Sequence, residues 1–135
     1  IGFSIKEQYK DENKIFLLAL LNNILSMFFI ESFGFGRGLG ALDLRETKFK
    51  KDFKILNPEL LSDAQKKEII KAFQPIFNRD RLPLVKELQQ KDRIDFELML
   101  LKIYGLDKYY DTIKQTLLHL YKTRFAVKEK KRKKA

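Results

Sequence analysis

The chain has 135 residues, 44% of them apolar and 34% charged, which describes one domain large enough to bury its own core and leaves no room for a second. It contains no cysteine, which excludes a disulfide framework, a thiolate metal site and side-chain redox chemistry. Its formal net charge of +10 favours an acidic partner, and the run Lys128 to Lys134, with six cations and one anion, supplies half of that excess.

The opening "IGFSIKEQYK" lacks the apolar core and small-residue cleavage site of a signal peptide and starts at Ile1 rather than Met. It reads as a piece of a longer, cytoplasmic protein. Next comes the most apolar stretch, Ile15 to Ile30, interrupted only by Asn22, Asn23 and Ser26. About twenty apolar residues are needed to span a bilayer, so one long buried helix is expected here and no membrane. Being apolar on nearly all sides, that helix should be covered on more than one face.

The stretch "FGFGRGLGALDLRE" then places four of the six glycines on alternate positions. Gly36, Gly38 and Ala41 fit the permissive G-x-G-x-x-A form of the dinucleotide fingerprint, which acts after a strand and at the start of a helix. Here the order is reversed, so Gly36, Gly38 and Gly40 read as turn residues instead. A Walker loop is excluded because Gly40 is followed by Ala41 and Leu42. Leu42 and Leu44 alternate with Asp43 and Arg45 as in a short strand, while "TKFKKDFKIL" suits helix or strand until the turn at Asn57-Pro58.

From there the periods are helical. Ser62 and Gln65 form a capping box, and Ile69, Ile70, Phe73 and Phe77 make an apolar stripe that Pro75 should bend or end. Pro83 opens a short helix through Leu88, and Asp92 caps the next, with Ile94, Leu98 and Leu101 inward and a stop at Gly105. A last helix begins near Asp107, carries Tyr110, Ile113, Leu117, Leu120 and Tyr121 at helical spacing, and frays after Phe125. The expected fold is mainly α, a helical bundle-like domain with a small β element around the Gly-rich loop. It occupies residues 1–127, with the long apolar helix, glycine loop and strand in 1–56, the helical part in 57–127, and a basic tail at 128–135.

Catalytic constellations are sparse. His119 is the only histidine and stands on a helix among leucines, so no zinc site and no hydrolytic triad is expected. Carboxylates are scattered among lysines, as on a solvated helix face. Asp43, Asp52 and Lys54 leave a faint nuclease-like trace. Binding chemistry is denser. Arg37, Arg45, Lys48, Lys50, Lys51 and Lys54 fall within eighteen residues, interleaved with Phe33, Phe35, Phe49 and Phe53. Such cations neutralise phosphates and arginine can read guanine, whereas the phenylalanines are assigned to the core.

The segment "LLALLNNILSMFFIESFGFGRGLGALDLRETKFKKDFKILNP" resembles the end of the target-recognition region of adenine-specific DNA methyltransferases from restriction-modification systems: an "LLNS"-like helix, a Gly-rich turn, a strand and a proline exit. The stretch "DRIDFELMLLKIYGLDKYYDTIKQTLLHLYKTRFAVK" is similar to their C-terminal signature, a helix ending in "lGl" and then a helix ending in arginine with basic residues. The resemblance implies a parent that methylates adenine N6 with S-adenosylmethionine on a flipped base. The Asn/Asp-Pro-Pro-aromatic motif of such enzymes is not present, because Asn57-Pro58 is followed by Glu59-Leu60, and neither is the cofactor's glycine motif. No catalytic position or cofactor is therefore carried over to this chain. What carries over is three turn glycines, basic residues facing double-stranded DNA, and packing against the rest of the parent. The alternative is a structural helical module that docks on its parent without touching DNA.

Overall fold

The structure, a computed structural model, describes residues 6–36 and 42–134. It is mainly helical and bundle-like. Seven α-helices are described, α1 (Lys14–Leu21), α2 (Ile24–Phe33), α3 (Glu46–Asp52), α4 (Asp63–Asn78), α5 (Leu84–Glu87), α6 (Lys91–Ile103) and α7 (Tyr110–Lys134). Between α2 and α3, β1 (Phe35–Gly36) and β2 (Leu42–Asp43) pair antiparallel, Phe35 opposite Asp43 and Gly36 opposite Leu42. This two-residue ladder forms no layer of the fold. Gly36 therefore stands in a paired segment rather than in a turn, and Gly38 and Gly40 lie outside the described residues.

The long apolar helix expected over Ile15–Ile30 is two helices, α1 and α2, bent by 52° at Asn22–Asn23. The cause is Asn23. Its side-chain oxygen accepts from the backbone N–H of Leu25 and Ser26, capping α2, while its amide nitrogen donates to the carbonyls of Ala19 and Leu20 at the end of α1. Ser26 Oγ also donates to Leu20. Asn23 and Ser26 are both buried, and their side-chain polar groups are spent on the two helix ends that the break exposes. Replacing Asn23 with alanine is expected to lower the unfolding free energy by about 1–2 kcal/mol, read from urea denaturation, because the cap is lost.

The bend lets one apolar stretch serve two cores. Phe16, Ala19 and Leu20 of α1 pack with Ile69, Phe73 and Ile76 of α4 and with Phe96 and Leu100 of α6. Ile24 of α2 packs with Leu88, with Leu101 of α6 and with Tyr110 and Leu117 of α7. α6 is thus the wall shared by both clusters. Phe73 and Phe96 are tilted with centroids 5.1 Å apart, and each fully buried ring contributes on the order of 2–3 kcal/mol of transfer free energy.

Local signals explain several boundaries. Ser62 and Gln65 make the reciprocal capping box of α4. Pro75 does not end α4, which continues to Asn78; Pro75 and Lys71 are both exposed, leaving the carbonyl that lacks its partner beside solvent. The buried stripe of α4 is Ile69, Phe73 and Ile76, and Phe77 is half exposed. Asp92 does not cap α6, whose N-cap is Gln90, and α6 turns Phe96, Glu97, Leu100 and Leu101 inward while Leu98 is exposed. Gly105 terminates the α6 segment at φ +69°, with Leu106 N–H donating to the Leu101 carbonyl. α7 does not fray after Phe125. It remains helical to Lys134, across the expected boundary at 127, as lysine's helix propensity and cations at a helix C-terminus favour.

Candidate nucleic-acid interface

α3 forms between an acidic first turn, Glu46, and a basic last turn, Lys50 and Lys51, which matches charge to the helix dipole at both ends. Phe49 is its one buried residue. Its ring stacks on Phe53 at 4.3 Å, Phe53 stands edge-on to Phe29 of α2 at 6.3 Å, and Phe29 stacks on Phe33 at 5.5 Å. These rings seat α3 on α2 and spend their faces on one another, so Phe49 and Phe53 serve packing, in line with their assignment to the core.

The cations are placed differently. Arg45, Lys48, Lys50, Lys51 and Lys54 are all exposed. Arg45, Lys48 and Lys51 are spaced by three and share one face, where the Lys48 ammonium lies 5.6 Å from the Phe33 ring centroid. Lys50 is on another face and is paired with Glu46, whose carboxyl is held below its usual range by that hydrogen bond and charge. Lys54 Nζ reaches the Lys51 carbonyl at 3.5 Å. Arg37 lies outside the described residues. The structure thus brings five of the six basic candidates onto α3 and its flanks and leaves Lys48 and Lys51 on a common face, neither paired with a carboxylate among the described residues.

Reading carboxylates as solvated misses the second charged centre. Arg79 uses all five of its N–H groups: on Asp92 (2.7 and 3.0 Å), on Glu87 (both 2.9 Å) and on the Asp80 carbonyl (3.3 Å). Arg93, only 4% exposed, donates to Glu87 at 2.8 Å, to Glu97 at 3.1 Å and to the Asn22 carbonyl at 2.8 Å. Glu97, fully buried, also accepts from Ile24 N–H at 2.9 Å. Burial pushes the Glu97 carboxyl up to about 7 despite Arg93. Burial opposes ionisation of Glu87 too, but hydrogen bonds from Arg79 and Arg93 leave it lowered, and Arg79 lowers Asp92. The cluster ties the α1–α2 bend to α5 and α6. Its sequence trace is the i, i+4 spacing of Arg93 and Glu97.

An open cleft of about 350 Å³ lies beside it, walled by Leu18, Phe73, Ile76 and Phe77 and by Arg79 and Arg93. Those two guanidinium groups are already committed to carboxylates and carbonyls. His119 is exposed on α7. Among the described residues no group of three or more His, Asp or Glu side chains could hold a metal ion; Asp52 is half-buried, and the Asp43 side chain lies outside the description. No described helix by itself is long and apolar enough to cross a membrane. No known protein family, curated protein or solved structure matches the chain.

Proposed function

We propose that this chain is a DNA-contacting C-terminal piece of an adenine-specific restriction-modification methyltransferase, working in the cytoplasm and holding duplex phosphates without catalysing methyl transfer. The observation that carries the DNA contact is the exposed Arg45–Lys48–Lys51 face of α3, seated on a stack of phenylalanines that keeps it in place. The parentage rests on the resemblance of residues 17–58 and 92–128. The sequence lacks the glycine motif with which such enzymes hold S-adenosylmethionine, and no step of methyl transfer is assigned to this chain.

Titration against a labelled duplex over a salt series tests the reading. Affinity should fall steeply with salt, and Lys48→Gln/Lys51→Gln should make the log–log slope shallower by about 2, whereas Lys50→Gln, whose charge is offset by Glu46, should change it by less than about 1. Salt-independent binding, or none, sinks the proposal. Arg37→Ala in the same assay asks whether the glycine loop takes part. The docking reading has one observation in its favour: Phe28, Phe29, Ile30 and Phe33 of α2 remain half-buried, and Leu18 and Leu21 of α1 are 37% and 45% exposed. It expects self-association and indifference to the lysine variants.

A further inference from the structure

The last turn of α2 touches two basic segments, one that follows it closely in sequence and one near the C-terminal end. Glu31, its carboxylate 9% exposed, accepts from Arg124 Nε at 2.6 Å and Nη2 at 3.3 Å. The Arg124 guanidinium also lies over the rings of Tyr121 and Phe125, at 5.4 and 4.8 Å. Two residues further along α2, Phe33 carries Lys48 of α3 over its ring. Contacts between α2 and α7 advance in the same sense along both helices, from Ile24 with Tyr110 and Leu117 to Glu31 with Arg124. The α3 face and the root of the C-terminal half of α7 therefore adjoin the same end of α2.

Beyond Arg124, α7 continues without a break to Lys134. Residues 126–134 are nine helical residues, about 13 Å long at 1.5 Å each, and the roughly 10–12 Å diameter of a helix with its side chains is what a B-DNA major groove about 12 Å wide admits. Six of the nine are Lys or Arg. At about 100° per residue, Lys128, Lys130, Lys131, Arg132, Lys133 and Lys134 occupy positions around the whole circumference, and the only apolar residues are Ala126 and Val127. A helix that lies on a membrane needs an apolar face opposite its basic one. A helix in a major groove has phosphates on both sides, which cations on opposite sides of the helix can neutralise.

We propose that residues 126–134 of α7 are a rigid basic arm that enters the major groove of duplex DNA, positioned by the Glu31–Arg124 pair, while the α3 face holds the adjacent phosphates. This rests on the DNA-contact reading above and adds the element that enters the groove.

Two variants in the duplex titration test it. Replacing Lys130, Lys131, Arg132, Lys133 and Lys134 together with glutamine should make the log–log salt slope shallower by about 4. Ala126→Pro keeps every charge but interrupts the helix at the arm's root, and should weaken binding at least about tenfold. Leu117 is the last fully buried residue described in α7, so both variants should melt like the parent chain. If Ala126→Pro binds like wild type, the cations act as a flexible tail and the arm is refuted. An unchanged slope in the glutamine variant also refutes it. Should the Lys48/Lys51 variant lose slope while both arm variants do not, the DNA reading stands and the arm falls; absence of salt-dependent binding in the wild type removes both. Tighter capture by phosphatidylserine vesicles than by duplex, lost in the glutamine variant, would assign the arm to a lipid surface instead.

Discussion

Arg93→Ala is expected to lower the unfolding free energy by about 3–5 kcal/mol in urea denaturation, a large share of the roughly 5–15 kcal/mol that holds a domain folded. Three partners lose their donor at once. Glu87 keeps Arg79, but among the described residues Glu97 is left with Ile24 N–H as its donor, and the Asn22 carbonyl at the end of α1 loses its guanidinium. The side chain also lies 5.9 and 5.8 Å from the Phe73 and Phe96 centroids, so its loss opens a gap beside the larger core. Arg93→Lys should recover only part, since an ammonium cannot reproduce the planar fork that bridges Glu87, Glu97 and Asn22. A control separates burial from charge. Lys91 and Asp95 make the same i, i+4 pair two residues earlier, on the opposite side of α6, with side chains 87% and 60% exposed, and Lys91→Ala should cost less than about 1 kcal/mol. Equal losses from Arg93 and Lys91 would show that the network is not a structural link. A double-mutant cycle between Arg93 and Glu97 should return a coupling of about 1–3 kcal/mol.

Features confined to one turn were legible in the sequence. Ser62 and Gln65 sit three apart and satisfy each other, and Gly105 supplies a positive φ without help from the rest of the chain. The α1–α2 break was not, although Asn22-Asn23 stood in plain view within an apolar run. Two amides in such a run read as interruptions of one helix until it is clear that Asn23 can be buried and can serve the end of one helix and the start of the next together. Once the chain bends there, the Asn22 carbonyl and Ile24 N–H meet α6 across some seventy residues of sequence. That is why the Arg93–Glu97 spacing could be seen while its burial could not, and why Asp92 turns to Arg79 instead of capping α6.

The basic candidates divide along the same line. That Glu46 offsets Lys50 is an i, i+4 relation, readable in principle from the sequence. The separation of Lys48 and Lys51 from Lys50 depends on α3 being a helix, a point that "TKFKKDFKIL" leaves open because Phe49 and Phe53 suit one period and Phe53 and Ile55 the other. Likewise, a lysine-rich run reads as a fraying tail, and the pairing of Arg124 with Glu31, ninety-three residues apart, which ties its root to α2, is visible in the fold alone.

Stability is expected to fall as pH rises from about 5 to about 7, the opposite of what a carboxylate lowered by its cationic partners would produce. Glu97 titrates near its ordinary 4.5 when unfolded, but burial pushes it up to about 7 in the fold. Between those values the native state binds more protons than the unfolded state, so each added pH unit favours unfolding; the limb should amount to at most about 3 kcal/mol and level off above about pH 7. Glu87 and Asp92 act in reverse. Both are lowered in the fold, so their contribution is present above their unfolded values and disappears as pH falls through the folded ones. Unfolding free energy measured against pH should therefore peak near about pH 5, with an acid limb from Glu87 and Asp92 and a neutral limb from Glu97. Glu97→Gln should flatten the neutral limb and spare the acid one; a neutral limb that survives the substitution would assign it to another group. The two protonation states of Glu97 affect its partners unequally. Either state leaves an oxygen able to accept from Ile24 N–H, so the start of α2 stays seated, whereas Arg93 loses an ionic partner on protonation and draws on Glu87 instead. The pH effect thus falls on the junction of α5 and α6, away from the end of α2 that carries the basic segments.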